Sequence, residues 1–137
     1  MEKESDTWRI KTLDELDPPA WEKPSVDSYL LATCHRLRSK RVCDFSIEDL
    51  RIMIGQGIGL GYLLPFALEA LERNPLAHGD FYQGDLLAQV LRIDAKFWAK
   101  HPAYRKQVEA LVQHTRLPAV LSEHVATFHH QGGVPSA

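Results

Sequence analysis

Apolar residues recur at helical spacing along nearly the whole chain and strand-like alternation is scarce, so the pattern predicts an all-α fold. The first helix is expected from Asp27 to about Ser39, with Leu30, Cys34 and Leu37 on one face. A second runs from Ile47 to about Ile54, opened by Ser46 and by Asp49 three positions later, a variant of the capping box. A third spans about Tyr62 to Glu72, with Leu64, Leu68 and Leu71 on one stripe and Pro65 in its first turn or at a kink. Asn74-Pro75 ends it, and after a turn around Gly79 a new helix begins near Gly84 or Asp85 and buries Leu86, Leu87, Val90 and Leu91. Asp85 at that start is expected to satisfy free N–H groups. A short turn capped by Asp94 carries Phe97 and Trp98 as anchors. Pro102 then opens a helix with Tyr104, Val108, Leu111 and Val112 inward, and Pro118 opens a last one with Leu121, Val125 and Phe128 inward. These elements make a compact bundle or a small α-solenoid of about six to seven short helices.

Residues 1–26 break the pattern: they are polar and acidic, and Pro18, Pro19 and Pro24 forbid a long helix. Thr12 can cap a short turn there, and Trp8 and Trp21 are expected to dock onto the core. Residues 27–130 form the single helical domain, and 131–137 are expected to be a disordered tail.

At 137 residues the chain is long enough for one ordinary core, since a domain of this size buries about two-thirds of its unfolded surface. Its 16 Lys+Arg against 18 Asp+Glu leave a net charge of −2, which gives no global attraction to nucleic acid or anionic membrane. Neither a membrane-spanning apolar run nor a secretory leader is evident, so the expected compartment is the cytoplasm. Cys34 and Cys43 lack metal or redox spacing and are expected to be buried thiols, not a disulfide, without a chemical role.

The four alternating glycines of GQGIGLG, Gly55 to Gly61, resemble a phosphate-binding loop only superficially. A dinucleotide fingerprint needs G-x-G-x-x-G after a strand, whereas these follow a helical SIEDLRIMI, and no Lys follows them as a P-loop requires. They are expected to join two helices tightly, and no cofactor is implied. The histidines lack convergent ligand spacing, so no metal is expected. No serine or cysteine sits in a nucleophile motif, and the protein is not expected to be an enzyme.

Two alternatives follow from the remaining charges. A nucleic-acid-binding regulator would use the basic run Arg36 to Arg41, and a hydrolase would use Asp80 and Asp85 with a nearby His.

The run DFSIEDLRIMIGQGIGLGYLLPFALEALERNPLAHGDFYQGDLLAQVLRI, with VDSYLLATCHRLRSKRV upstream and FWAKHP downstream, closely resembles the contact-dependent growth inhibition immunity protein family. The resemblance spans about Thr12 to Val112. Its most specific pieces are Asp44 to Gln56, the Leu64-Pro65-x-Ala67-Leu68 helix, and Asn74-Pro75-Leu76 leading into Gly79 to Leu87. It implies a small cytosolic protein that binds the toxin domain of a cognate effector and blocks its active or essential surface, without catalysis. Complementarity of that kind needs a rigid patch of anchors and charges. The expected toxin contacts are Tyr82 as an aromatic anchor, Asp80 and Asp85 against a basic surface, and Glu69 and Glu72 extending the acidic patch.

Overall fold

The computed structural model describes residues 7–25 and 27–133, and within them the chain is all-α. Eight α-helices form among the described residues: α1 Leu13–Leu16, α2 Tyr29–Arg38, α3 Ile47–Gly55, α4 Leu60–Arg73, α5 Asp85–Leu91, α6 Ala95–Lys100, α7 Pro102–Gln113 and α8 Ser122–Gly133. Short 3-10 turns cover Thr7–Ile10, Val42–Asp44 and Ala119–Leu121. The number exceeds the expected one because two segments read as turns, around Leu13 and after Asp94, close as single-turn helices on their own side-chain caps. Thr12 and Glu15 form a reciprocal capping box, and the Asp94 side chain accepts from the Lys96 N–H.

Packing is that of a bundle, not of a solenoid. The helices α3, α4 and α5 contact one another pairwise, α7 packs on α4 and α8 on α5, so partners meet across gaps in sequence. A solenoid repeat touches only its neighbours. The hub is α5: of its residues only Gln89 is not buried, and Leu86, Leu87, Ala88, Val90 and Leu91 meet α3, α4 and α8 from different sides. Around it lie Leu50, Met53 and Ile54 of α3, Leu63, Leu64, Ala67 and Leu71 of α4, and Leu121 and Phe128.

The glycine-rich stretch is the α3–α4 connection. Gly59 precedes α4 with φ +66°, and a Cβ there would lie 2.9 Å from the Leu13 side chain, so both backbone sign and packing require glycine. That turn starts α4 at Leu60, two residues before the expected start. Pro65 therefore falls in the second turn, where its missing N–H leaves the Gly61 carbonyl without a helical donor, and α4 continues through it.

The N-terminal segment is fastened by Arg38. Its guanidinium is buried and donates to Asp14 Oδ1 (2.9 Å), to the Asp17 carbonyl (2.7 Å) and to the Leu13 and Pro19 carbonyls. Trp21 lies over the same guanidinium at 5.0 Å, while Trp8 packs against Tyr62 and Phe66. Burial alone would raise the Asp14 carboxyl, but hydrogen bonds from Arg38 and Ser39 hold it below its ordinary value of 3.8. Leu13 is fully buried beneath this network. The expected tail 131–137 begins inside α8, which runs to Gly133, and 134–137 lie outside the described residues. Among the described residues no helix is long and apolar enough to cross a membrane.

Candidate functional site

Helix α2 buries most, but not all, of the face its spacing suggests. Thr33, Cys34, Leu37 and Arg38 point inward, and Leu30, expected in the core, is 40% exposed beside Tyr29 at 82%. Both border a groove of about 480 Å³ whose other walls are α3, the α5 flank and the 79–82 turn. Phe81, 70% exposed, projects from that turn into the same groove. Three large apolar side chains thus crowd one concavity at the surface.

The turn that carries Phe81 is held from two sides. The Asp85 carboxylate accepts from the Gly79 N–H (2.7 Å), the Phe81 N–H (2.9 Å) and the Tyr82 N–H (3.3 Å). Glu48 Oε1 of α3 accepts from the Asp80 N–H at 2.8 Å. Gly79 makes the approach possible, because a Cβ there would lie 3.0 Å from Glu48 Cα and closer still to its carboxylate.

Arg51 locks the arrangement from α3. Its Nε donates to Glu48 Oε1 at 2.7 Å, a second nitrogen donates to Glu48 Oε2, and its guanidinium carbon sits 4.0 Å from the centre of the Phe81 ring. The Asp85 carboxylate is a further 3.9 Å ion-pair partner. The hydrogen bond from Arg51 holds the Glu48 carboxyl below its ordinary value of 4.5 against the opposing effect of burial, and the Asp80 N–H adds to the same effect. Arg51 is correspondingly pushed up, first by its bond to Glu48.

These contacts redistribute the residues expected from sequence. Asp80 lies at the groove, exposed, and closes no ion pair of its own among the described residues, although its charge helps hold Arg51 protonated. Asp85 is 1% exposed, and its carboxylate serves backbone N–H groups of the preceding turn, so it is not available to a basic surface. It does satisfy free N–H groups, and these belong to the turn before α5, not to the helix itself. Tyr82 is half-buried against the core, and the outward aromatic is its neighbour Phe81. Glu69 and Glu72 do not extend the acidic patch to this groove. They line a separate concavity of about 170 Å³ with Pro65, Tyr104 and Gln107, where Glu69 pairs with Arg9 at 2.8 Å.

Most side chains of the basic run are engaged elsewhere, while Arg36 is exposed. Within the basic run, Arg38 is buried, Lys40 pairs with Asp49 at 2.7 Å and Arg41 pairs with Asp44 at 3.0 Å. Asp80 and Asp85 share no pocket, which removes the paired-carboxylate arrangement. His101 is stacked between Phe97 and Tyr104, and His129 packs on Phe128. Cys34 and Cys43 are free thiols, the first buried and, against expectation, the second exposed.

A family model described as CDI immunity proteins matches residues 15–108, most of the chain and all of the groove. The chain belongs to the CDI immunity proteins. The matched region takes in α2 to α6 and most of α7, so in this CDI immunity protein the Arg51 lock and the Phe81 turn lie within the matched residues, while α8 lies beyond them. No curated protein matches the chain.

Proposed function

We propose that this protein binds the toxin domain of a cognate contact-dependent growth inhibition effector and neutralises it by covering its active or essential surface. It acts stoichiometrically, in the cytoplasm, with no catalysis, metal or cofactor of its own. The observation that carries this reading is membership of the CDI immunity proteins over residues 15–108. The surface supports it: exposed aromatic side chains and charged groups are gathered on a well-packed helical body, the anatomy of a protein-binding patch.

Of the residues expected to touch the toxin, Asp80 keeps that role. Asp85 and Tyr82 act behind the surface, by holding the turn that presents it. Glu69 and Glu72 belong to a different concavity and are assigned no primary contact.

The test is rescue and complex formation. Cells producing the toxin domain encoded beside this chain should survive when the chain is co-produced, and the purified pair should form a one-to-one complex. Death of the cells despite soluble co-production of both proteins overturns the reading.

A further inference from the structure

We infer that the toxin docks on the groove between the start of α2, α3 and the 79–82 turn, with Phe81 and Tyr29 as its aromatic anchors. This rests on the toxin-binding function proposed above and names the surface and the partner chemistry.

A scattered exposed apolar residue needs no explanation, but these are neither scattered nor loose. Tyr29, Leu30 and Phe81 border one concavity, and the chain holds Phe81 outward with several separate restraints. Backbone N–H groups of residues 79, 80, 81 and 82 are all tied to the carboxylates of Glu48 and Asp85, and Arg51 covers one side of the ring. An aromatic that is 70% exposed contributes little to the core, so restraints that orient it act mainly on whatever meets it from outside. Pre-ordering an anchor lowers the entropy lost on association, which is what a tight inhibitor requires.

The charges define what fits. Glu48 and Arg51 neutralise each other within the wall, leaving Asp80 and Arg92 as the groove's charged groups without an ion pair among the described residues. The complementary toxin surface is therefore an apolar socket for the two rings, bordered by a Lys or Arg opposite Asp80 and by a carboxylate or carbonyl opposite Arg92. Such a surface is mixed in charge, unlike the uniformly basic cleft that an acidic mimic would cover.

Binding of the purified toxin domain encoded beside this chain, followed by calorimetry, tests the assignment with Phe81→Ala, Tyr29→Ala and the double variant Glu69→Ala/Glu72→Ala. Thermal melting of each variant checks that it is folded, which the exposure of both aromatics favours. Phe81→Ala should weaken binding about 30-fold or more and Tyr29→Ala about 10-fold, with wild-type affinity kept by the glutamate double variant. Asp80→Lys provides a second measurement that leaves the apolar anchors in place, and it should slow association and reverse its salt dependence. Wild-type binding that survives in Phe81→Ala, Tyr29→Ala and Asp80→Lys overturns the docking surface while leaving the immunity function standing. Absence of binding by the wild-type chain overturns both.

Discussion

The Arg51 guanidinium lies 4.0 Å from the centre of the Phe81 ring while its Nε and one terminal nitrogen donate to Glu48, so a single cation on α3 ties an internal ion pair to an exposed aromatic. Replacing Arg51 by Ala removes the ring's cover and leaves Glu48, which also holds the Asp80 N–H, without its cation. Stability should fall by about 2 kcal/mol, the scale of a hydrogen-bonded charge pair in a partly buried setting. Arg51→Lys should recover part of the stability, because charge returns, but less of the toxin affinity, because the broad guanidinium cover of the ring does not. Urea unfolding and calorimetry read the two effects separately, and equal recovery of both would count against a positioning role.

Asp85 is a hub for backbone groups. In Asp85→Asn one acceptor oxygen becomes an NH2 facing N–H donors, so either the Gly79 N–H or the Phe81 and Tyr82 N–H groups lose their partner. The expected loss is about 2 kcal/mol of unfolding free energy, with faster amide exchange confined to residues 79–82. Unchanged exchange in that turn would show that the carboxylate does not hold it.

Gly79 stands where α3 and the turn touch. A methyl group there meets both the Glu48 backbone and its carboxylate, neither of which can retreat without releasing Arg51 or Asp80. Gly79→Ala should therefore lower the unfolding free energy by about 1–3 kcal/mol, as overpacking does, and weaken toxin binding although residue 79 itself offers no side chain. A crystal structure of the variant should show the turn displaced from α3.

Arg38 fastens the N-terminal segment. Arg38→Ala leaves Asp14 with Ser39 as its remaining side-chain donor and several carbonyls without theirs, and should cost about 1.5–3 kcal/mol, the scale of hydrogen bonds to a charged group. The first consequence should be accelerated hydrogen exchange in residues 13–21, together with a changed Trp21 emission. Uniform destabilisation without local exchange would contradict the clamp.

Three carboxyls share one pH signature. Asp14 and Asp49 are held below 3.8 because hydrogen bonds from Arg38 and Lys40 respectively overcome the burial that would raise them, and Glu48 is held below 4.5 by Arg51. A carboxyl depressed in the folded state binds fewer protons there than when unfolded. Its contribution is complete above those ordinary values and is lost as pH falls through the lower folded values. The urea midpoint should be flat from neutrality down to about pH 5 and then fall steadily. Glu48→Gln should lower the midpoint at pH 7 and flatten its acid decline; a decline identical to wild type would remove Glu48 from the account.

Helix positions were legible because the signals that set them are local. The Ser46–Asp49 capping box, Pro102 at the first position of α7 and the apolar stripe of α4 act within a few residues of chain, and each appears where the periodicity and caps indicate. The two single-turn helices were legible only as capped turns at Thr12 and Asp94, and the early start of α4 was not legible, since it depends on Gly59 packing against Leu13 from a distant segment.

The all-α class, most helix boundaries and the family could be read from local pattern and motif alone. Which side chains of the Gly79 to Leu87 block face outward depends on contacts made across the bundle. The turn 79–82 has no helical or strand period from which direction could be read, and the partners that orient it, Glu48 and Arg51, come from another helix. An acidic residue beside aromatic ones reads equally well as a surface contact or as an internal acceptor. Three donated N–H groups place Asp85 inside, and the same bonds leave Phe81, not Tyr82, at the surface.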